Sequence, residues 1–151
     1  MQLSQKEASL LKDMKDQEKL CIEKYSKHAA CACDGQLKNL FTQLASAEKQ
    51  HLGYLDKIGE GTVPQVATGS SSIPSSFSPC YGMADTPQKQ SDCFLCSDLL
   101  AGEKHVSSLY DTSIFEFRDP AARKALNHIQ AEEQQHGEKL YAYMSCNRMY
   151  S

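Results

Sequence analysis

A chain of 151 residues is long enough for one domain with a single core. Hydrophobic residues at 40% and charged residues at 23% are ordinary globular usage that excludes wholesale disorder, and no apolar run approaches the ~20 residues needed to cross a bilayer, so no membrane partner is expected. The net charge of −3 comes from 16 basic and 19 acidic residues mixed along the chain, which leaves no basic stripe and no nucleic-acid partner to expect.

At the start of the chain, Lys6, Glu7, Lys12 and Asp13 interrupt the apolar run that a signal peptide requires, so synthesis inside the cell is expected. Seven cysteines, an odd number without an export signal, argue for reduced thiols or a metal role over a disulfide framework. Leu3, Leu10, Met14, Cys21, Tyr25, Ala29 and Ala32 recur at helical spacing and predict a long amphipathic helix to about Cys33. Asp34-Gly35 is a turn signal, after which Leu37, Leu40, Phe41, Leu44, Ala47, Leu55 and Ile58 resume the period up to Gly59. So short a connection predicts an antiparallel hairpin over about residues 3–59.

Residues 60–88 change character, because Pro64, Pro74, Pro79 and Pro87, with Gly61, Gly69, Gly82 and the run Ser70-Ser71-Ser72, break any helix or long strand. A structureless, protease-sensitive linker is expected there. A helix of ~25 residues is ~38 Å long, and ~12 extended residues cover that distance, so the segment can cross the full length of a bundle.

A second hairpin is predicted over about residues 89–147, with helices 89–117 and 120–147 and Pro120 at a first helical position. Shifting the sequence by 85 matches Leu10, Asp13, Glu18, Lys19, Tyr25, Asp34, Glu48, Gln50, His51 and Leu55 with Leu95, Asp98, Glu103, Lys104, Tyr110, Asp119, Glu133, Gln135, His136 and Leu140. The matches include polar residues that core packing does not demand, so an internal duplication is the economical explanation. The expected fold is therefore all-α: a four-helix bundle of two duplicated antiparallel hairpins joined by a long crossover linker, one domain over residues 1–151.

Glu48 and His51, and Glu133 and His136, stand three residues apart, so each carboxylate and imidazole leave the same helix face. Glu18 lies 16 residues before Asp34 and Glu48 lies 14 after it, and Glu103 and Glu133 stand in the same relation to Asp119. Each pair thus sits at one depth, ~21–24 Å from its turn at about 1.5 Å per residue. Four carboxylates buried together repel one another unless cations neutralise them. Glu18, Glu48, His51, Glu103, Glu133 and His136 are therefore the candidate metal ligands. Carboxylate and imidazole donors with open positions suit iron or manganese. Two iron ions are the expected cofactors, with manganese or zinc as alternatives.

One Glu from each of two helices with Glu-x-x-His from each of the other two is the ligand pattern of ferritin-like di-iron and di-manganese proteins. By motif the six residues resemble the ferritin and rubrerythrin set. Over nearly the whole chain, the segments LCIEKYSKHA, LFTQLASAEKQHL, LLAGEKHVSSLY and HIQAEEQQHGEKLYAYMSCNRMY resemble the spore coat protein F family of spore-forming Firmicutes. The resemblance implies a ferritin-like fold and an association with the spore coat; the expected location is the spore coat or the mother-cell cytoplasm, and the expected partners are metal ions, on the strength of the six residues themselves, and other spore coat proteins, with a homodimer left open. By motif position Glu48 and Glu133 would bridge two ions, with Glu18 and His51 completing one shell and Glu103 and His136 the other. Val106 stands where rubrerythrins carry an extra glutamate, and no second Cys-x-x-Cys follows the bundle, so self-sufficient peroxide reduction is not expected.

The function expected is thus a spore-coat-associated ferritin-like protein binding a dinuclear iron or manganese centre. Oxidase or peroxide-scavenging activity is an open question, as is whether the protein is an enzyme. The alternative is a structural coat component without redox activity, and a third reading makes the linker or the Met-Tyr tail a recruiter of coat proteins. Glu23, Glu132 and Glu138 are expected as surface charges, and His28, His105 and His128 as surface or cap residues. Tyr25 and Tyr110, seven residues after a candidate ligand, are expected either to hydrogen-bond a ligand carboxylate across the bundle or simply to pack. The crossover topology brings Cys93 and Cys96 to the end that holds Cys31 and Cys33, where a disulfide or a zinc site would compete with plain reduced thiols.

Overall fold

The computed structural model describes residues 1–66 and 71–150. It holds four helices, α1 (Gln5–Cys31), α2 (Gly35–Gly59), α3 (Pro87–Glu116) and α4 (Pro120–Cys146), and no strand among the described residues. Residues 67–70, including Gly69 and Ser70 of the expected linker, lie outside the described residues.

Local chemistry sets each start. Ser4 caps α1 through a reciprocal box, its hydroxyl accepting from Glu7 N at 3.1 Å while its own N–H donates to Glu7 Oε2 at 2.7 Å. Thr86 caps α3 by accepting from Lys89 N, and Pro87 takes the first helical position, which starts the helix two residues earlier than the sequence pattern predicts. Asp119 caps α4 by accepting from Ala121 N and Ala122 N. Its repeat counterpart Asp34 occupies the cap of α2 but turns its carboxylate to the Tyr143 hydroxyl at 2.7 Å. At the end of α2, Gly61 adopts φ 86°, and an added Cβ would come within 2.9 Å of Met1 O, so only glycine fits.

α1 ends at Cys31 rather than Cys33 because the next backbone N–H groups leave the helix. Cys33 N and Asp34 N donate to the two oxygens of buried Asp92 at 2.8 and 3.0 Å. At the far end of the bundle, Arg118 N donates to buried Glu7 Oε1 at 2.8 Å. Glu7 and Asp92 are 85 residues apart, as are Cys33 and Arg118, so the two hairpins clasp each other by the same contact made twice about a pseudo-twofold axis. α3 therefore begins where α1 finishes, and the crossover runs the length of the bundle.

The second half of that crossover is tied down, contrary to a free linker. Lys139 Nζ donates to Ile73 O at 3.1 Å, Gln36 exchanges two hydrogen bonds with the Ser78 backbone, and Cys80 N and Tyr81 N both donate to Asn147 Oδ1. Ile73 and Phe77 pack on the core beneath.

Two apolar clusters fill the bundle. One gathers Met14, Leu55, Ile58, Val106, Phe117 and Leu126 with their neighbours, and the other Leu37, Phe41, Leu44, Leu99, Leu140 and Tyr143 with theirs. The buried stripe of α1 runs through Leu11 rather than Leu10, which is only partly buried. Each fully buried aliphatic or Phe side chain contributes about 1.5–3 kcal/mol, and this is what holds the polar layer between the clusters out of water. No helix among the described residues is long and apolar enough to cross a membrane.

All seven cysteines are free. Cys93 and Cys96 do come to the end that holds Cys33, yet Cys96 is buried in the second apolar cluster while Cys31 and Cys33 are exposed. Among the described residues no cysteine joins a group of ligands close enough to hold an ion, which leaves the plain-thiol alternative and gives no support to a disulfide or zinc site.

Candidate metal centre

Between the two clusters, α1 contributes Glu18, α2 Glu48 and His51, α3 Glu103, and α4 Glu133 and His136. All six are buried, none more than 4% exposed. Equal depth along the helices, which the turn spacing predicts, brings all of them to one level. Both imidazoles present Nδ1 inward. His51 Nδ1 lies 2.9 Å from Glu133 Oε1, 3.3 Å from Glu48 Oε2 and 3.9 Å from Glu18 Oε1. His136 Nδ1 lies 2.8 Å from Glu48 Oε1, 3.4 Å from Glu103 Oε1 and 3.6 Å from Glu133 Oε2. The two rings stack with centroids 5.6 Å apart.

The ligand atoms fall into two overlapping groups. Glu18, Glu48, His51 and Glu133 form one, Glu48, Glu103, Glu133 and His136 the other, and within each the donor atoms lie within 4.8 Å of one another. Glu48 and Glu133 belong to both. Glu18 Oε2, Glu103 Oε2 and Glu133 Oε2 are buried without any hydrogen-bond partner. Buried polar atoms are normally satisfied, so three orphaned carboxylate oxygens at one level are what a set of cation ligands would leave, and the donor set fits metal binding.

The electrostatics are those of a crowded acid cluster balanced from within. Burial, and then the charge of Glu48, raises the Glu18 carboxyl well above its usual range. Burial, and then the Glu133 charge, pushes Glu103 up to about 8. For Glu48 and Glu133, burial also acts upward but is outweighed by the close approach of the neighbouring carboxyls and both imidazoles, which holds both below the usual range. Burial lowers the imidazole values, yet the carboxylates around His51 and His136 outweigh it and hold both rings protonated. The shifts thus run upward for Glu18, Glu103 and both imidazoles and downward for Glu48 and Glu133.

Tyr25 and Tyr110 resolve in favour of the hydrogen-bonding reading. Tyr25 OH donates to Glu103 Oε1 at 2.6 Å and Tyr110 OH to Glu18 Oε1 at 2.7 Å, each crossing from one hairpin to the other. Glu132 corrects its expectation as a surface charge: only a quarter exposed, it places Oε1 3.1 Å from His51 Nε2 and 3.0 Å from His128 Nε2. The repeat conceals it, because its counterpart is Ala47. Glu23 and Glu138 are exposed as expected, and so is His105, whereas His28 pairs with Asp98 at 2.8 Å. Val106 is buried in the first apolar cluster and adds no carboxylate to the centre.

Four antiparallel helices around a buried layer of paired Glu-x-x-His motifs are a ferritin-like bundle. The chain is similar in structure to a dodecameric thioferritin, the bacterioferritin-related protein from Bacteroides fragilis, at 16% identity and a TM-score of 0.67 over 93% of this chain and 84% of that one. At that identity the likeness establishes the fold. The sequence model of the Coat F domain matches residues 91–151, which carry Glu103, Glu133 and His136. No curated protein matches the chain.

Proposed function

We propose that this is a spore-coat-associated, ferritin-like protein that binds two metal ions, iron or manganese, at mid-bundle. The observation that carries the reading is the sharing of Glu48 and Glu133 by two ligand groups, with three buried carboxylate oxygens left unpaired beside them. Glu48 and Glu133 would serve both ions, Glu18 and His51 would complete the hold on one, and Glu103 and His136 that on the other. Two such ions with open positions supply redox and Lewis-acid chemistry.

The chain's own residues shape that chemistry. Tyr25 and Tyr110 fix the orientation of Glu103 and Glu18, leaving the second oxygen of each free to ligate. Glu132 holds His51 Nε2, so its Nδ1 lone pair faces the centre once that proton is lost. The apolar clusters on either side exclude water, which strengthens every charge interaction within. The Coat F match supports location in the spore coat and other coat proteins as partners.

A purely structural coat role is the second reading. It is favoured by the contacts of His51 and His136 with Glu48 and Glu133, which partner the buried carboxylates without ions. Metal analysis of the purified protein, with anaerobic reconstitution by iron(II) or manganese(II), separates the two. About two ions per chain are expected; a protein that takes up neither metal is a structural component.

A further inference from the structure

The repeat that relates the hairpins is broken beside the centre in two places. The first break is Glu132, which holds His51 Nε2 at 3.1 Å, whereas the equivalent position behind His136 is Ala47, whose side chain has no acceptor. A carboxylate on the outer nitrogen of a ligating imidazole fixes its tautomer and raises its basicity, typically changing metal affinity about 10–100-fold.

The second break is a cleft of about 540 Å³ between α3 and α4, lined by Glu103 and Glu133 together with Leu100, Ser107, Gln130 and Gly137. It reaches two carboxylates whose Oε2 atoms are unpaired. Gln130 Nε2 donates to Ser107 O at 3.0 Å, giving the opening a polar edge. On the first hairpin the positions equivalent to Ser107 and Gly137 are Ile22 and Leu52, both bulky, apolar and half-buried. One hairpin is thus open towards its ligands where the other carries two large side chains.

Building on the dinuclear reading above, we propose that the two positions are inequivalent: the divalent cation at Glu18, Glu48, His51 and Glu133 is retained, and the one at Glu48, Glu103, Glu133 and His136 exchanges with solution through the α3–α4 cleft. Glu132 is a positioning residue for the retained ion. Ser107 and Gly137 give the exchangeable ion its way in and out.

The test uses the full chain loaded with cobalt(II), whose visible absorption reports ligation, followed by release into excess chelator. Two ions leaving in two phases of equal amplitude are expected. Ser107→Ile with Gly137→Leu should slow the fast phase alone, and Gly137→Ala, whose Cβ would meet only Leu100 at 3.6 Å, gives a milder filling that the fold accommodates. Glu132→Ala should speed the slow phase about 10–100-fold, and Glu132→Gln, which keeps an acceptor, should restore it in part. Ile22→Ala with Leu52→Ala, opening the other hairpin, should also speed the slow phase. Two ions released in a single phase, or phases that none of these variants moves, would overturn the inequivalence and leave the dinuclear centre standing. Failure to bind cobalt at all would overturn both.

Discussion

The Tyr25 hydroxyl donates to Glu103 Oε1 at 2.6 Å from the opposite hairpin, and the same bond is made in reverse by Tyr110 to Glu18. Each hairpin therefore orients a candidate ligand of the other. Tyr25→Phe removes a buried donor and leaves a carboxylate oxygen unpaired, at a cost of about 1–3 kcal/mol. Metal affinity should fall about 10–100-fold as Glu103 loses its orientation. Urea denaturation of the metal-free protein and a metal titration measure the two effects, and an unchanged affinity would reduce Tyr25 to packing.

Glu7 should govern stability in acid. Its burial would raise its pKa, but the Arg118 and Ser4 backbone N–H groups and their side chains outweigh burial and hold it at about 2, against 4.5 when unfolded. A depressed folded value means stability fully present above about pH 4.5 and lost as pH falls towards 2. Glu7→Gln should be less stable at neutral pH and show a flatter decline over that window. Parallel acid limbs for the two proteins would contradict the assignment.

Asn147 is the clasp of the crossover. It is fully buried, accepts from Cys80 N and Tyr81 N, and donates to Tyr143 O at 3.0 Å. Asn147→Ala should cost about 1–3 kcal/mol and open residues 73–81 to protease, which should cut them slowly in the unaltered protein. Equal cleavage rates would mean that the clasp holds nothing.

Metal uptake should release protons. Burial and neighbouring charge raise Glu18, and Glu103 to about 8, while the surrounding carboxylates raise both imidazoles. A group raised in this way must give up its proton to ligate, so metal binding should displace protons, and affinity should fall as pH is lowered. Calorimetry in buffers of different ionisation enthalpy counts them. Metal uptake without proton release would contradict the upward shifts in the centre.

Much of this was legible in the sequence. Helical spacing placed four helices, and the repeat of Glu18, Glu48 and His51 at Glu103, Glu133 and His136 located the buried layer, because equal distances from the turns force equal depth. What the repeat does not carry stayed hidden. Glu132 faces Ala47 in the alignment of the halves, and the Glu7 and Asp92 clasps are repeated with different residue types. The anchoring of residues 73–81 depends on Asn147, Lys139 and Gln36, three polar side chains whose long-range partners no local pattern announces. Cys96 lies in the second apolar cluster with the helix face that carries it, and periodicity alone does not tell a thiol that packs from one that ligates.

The central claim is that Glu48 and Glu133 are shared by two ions, and counting metal in single variants tests it most directly. Apoprotein and the variants Glu18→Ala, Glu48→Ala, Glu103→Ala and Glu133→Ala are reconstituted anaerobically with iron(II) or manganese(II), freed of excess metal, and assayed for ions per chain with helicity checked alongside. The unaltered protein should hold about two ions, Glu18→Ala and Glu103→Ala about one, and Glu48→Ala and Glu133→Ala none, as shared ligands in such centres require. Two ions lost with Glu18 and only one with Glu48, or no metal in the unaltered chain, would contradict the account.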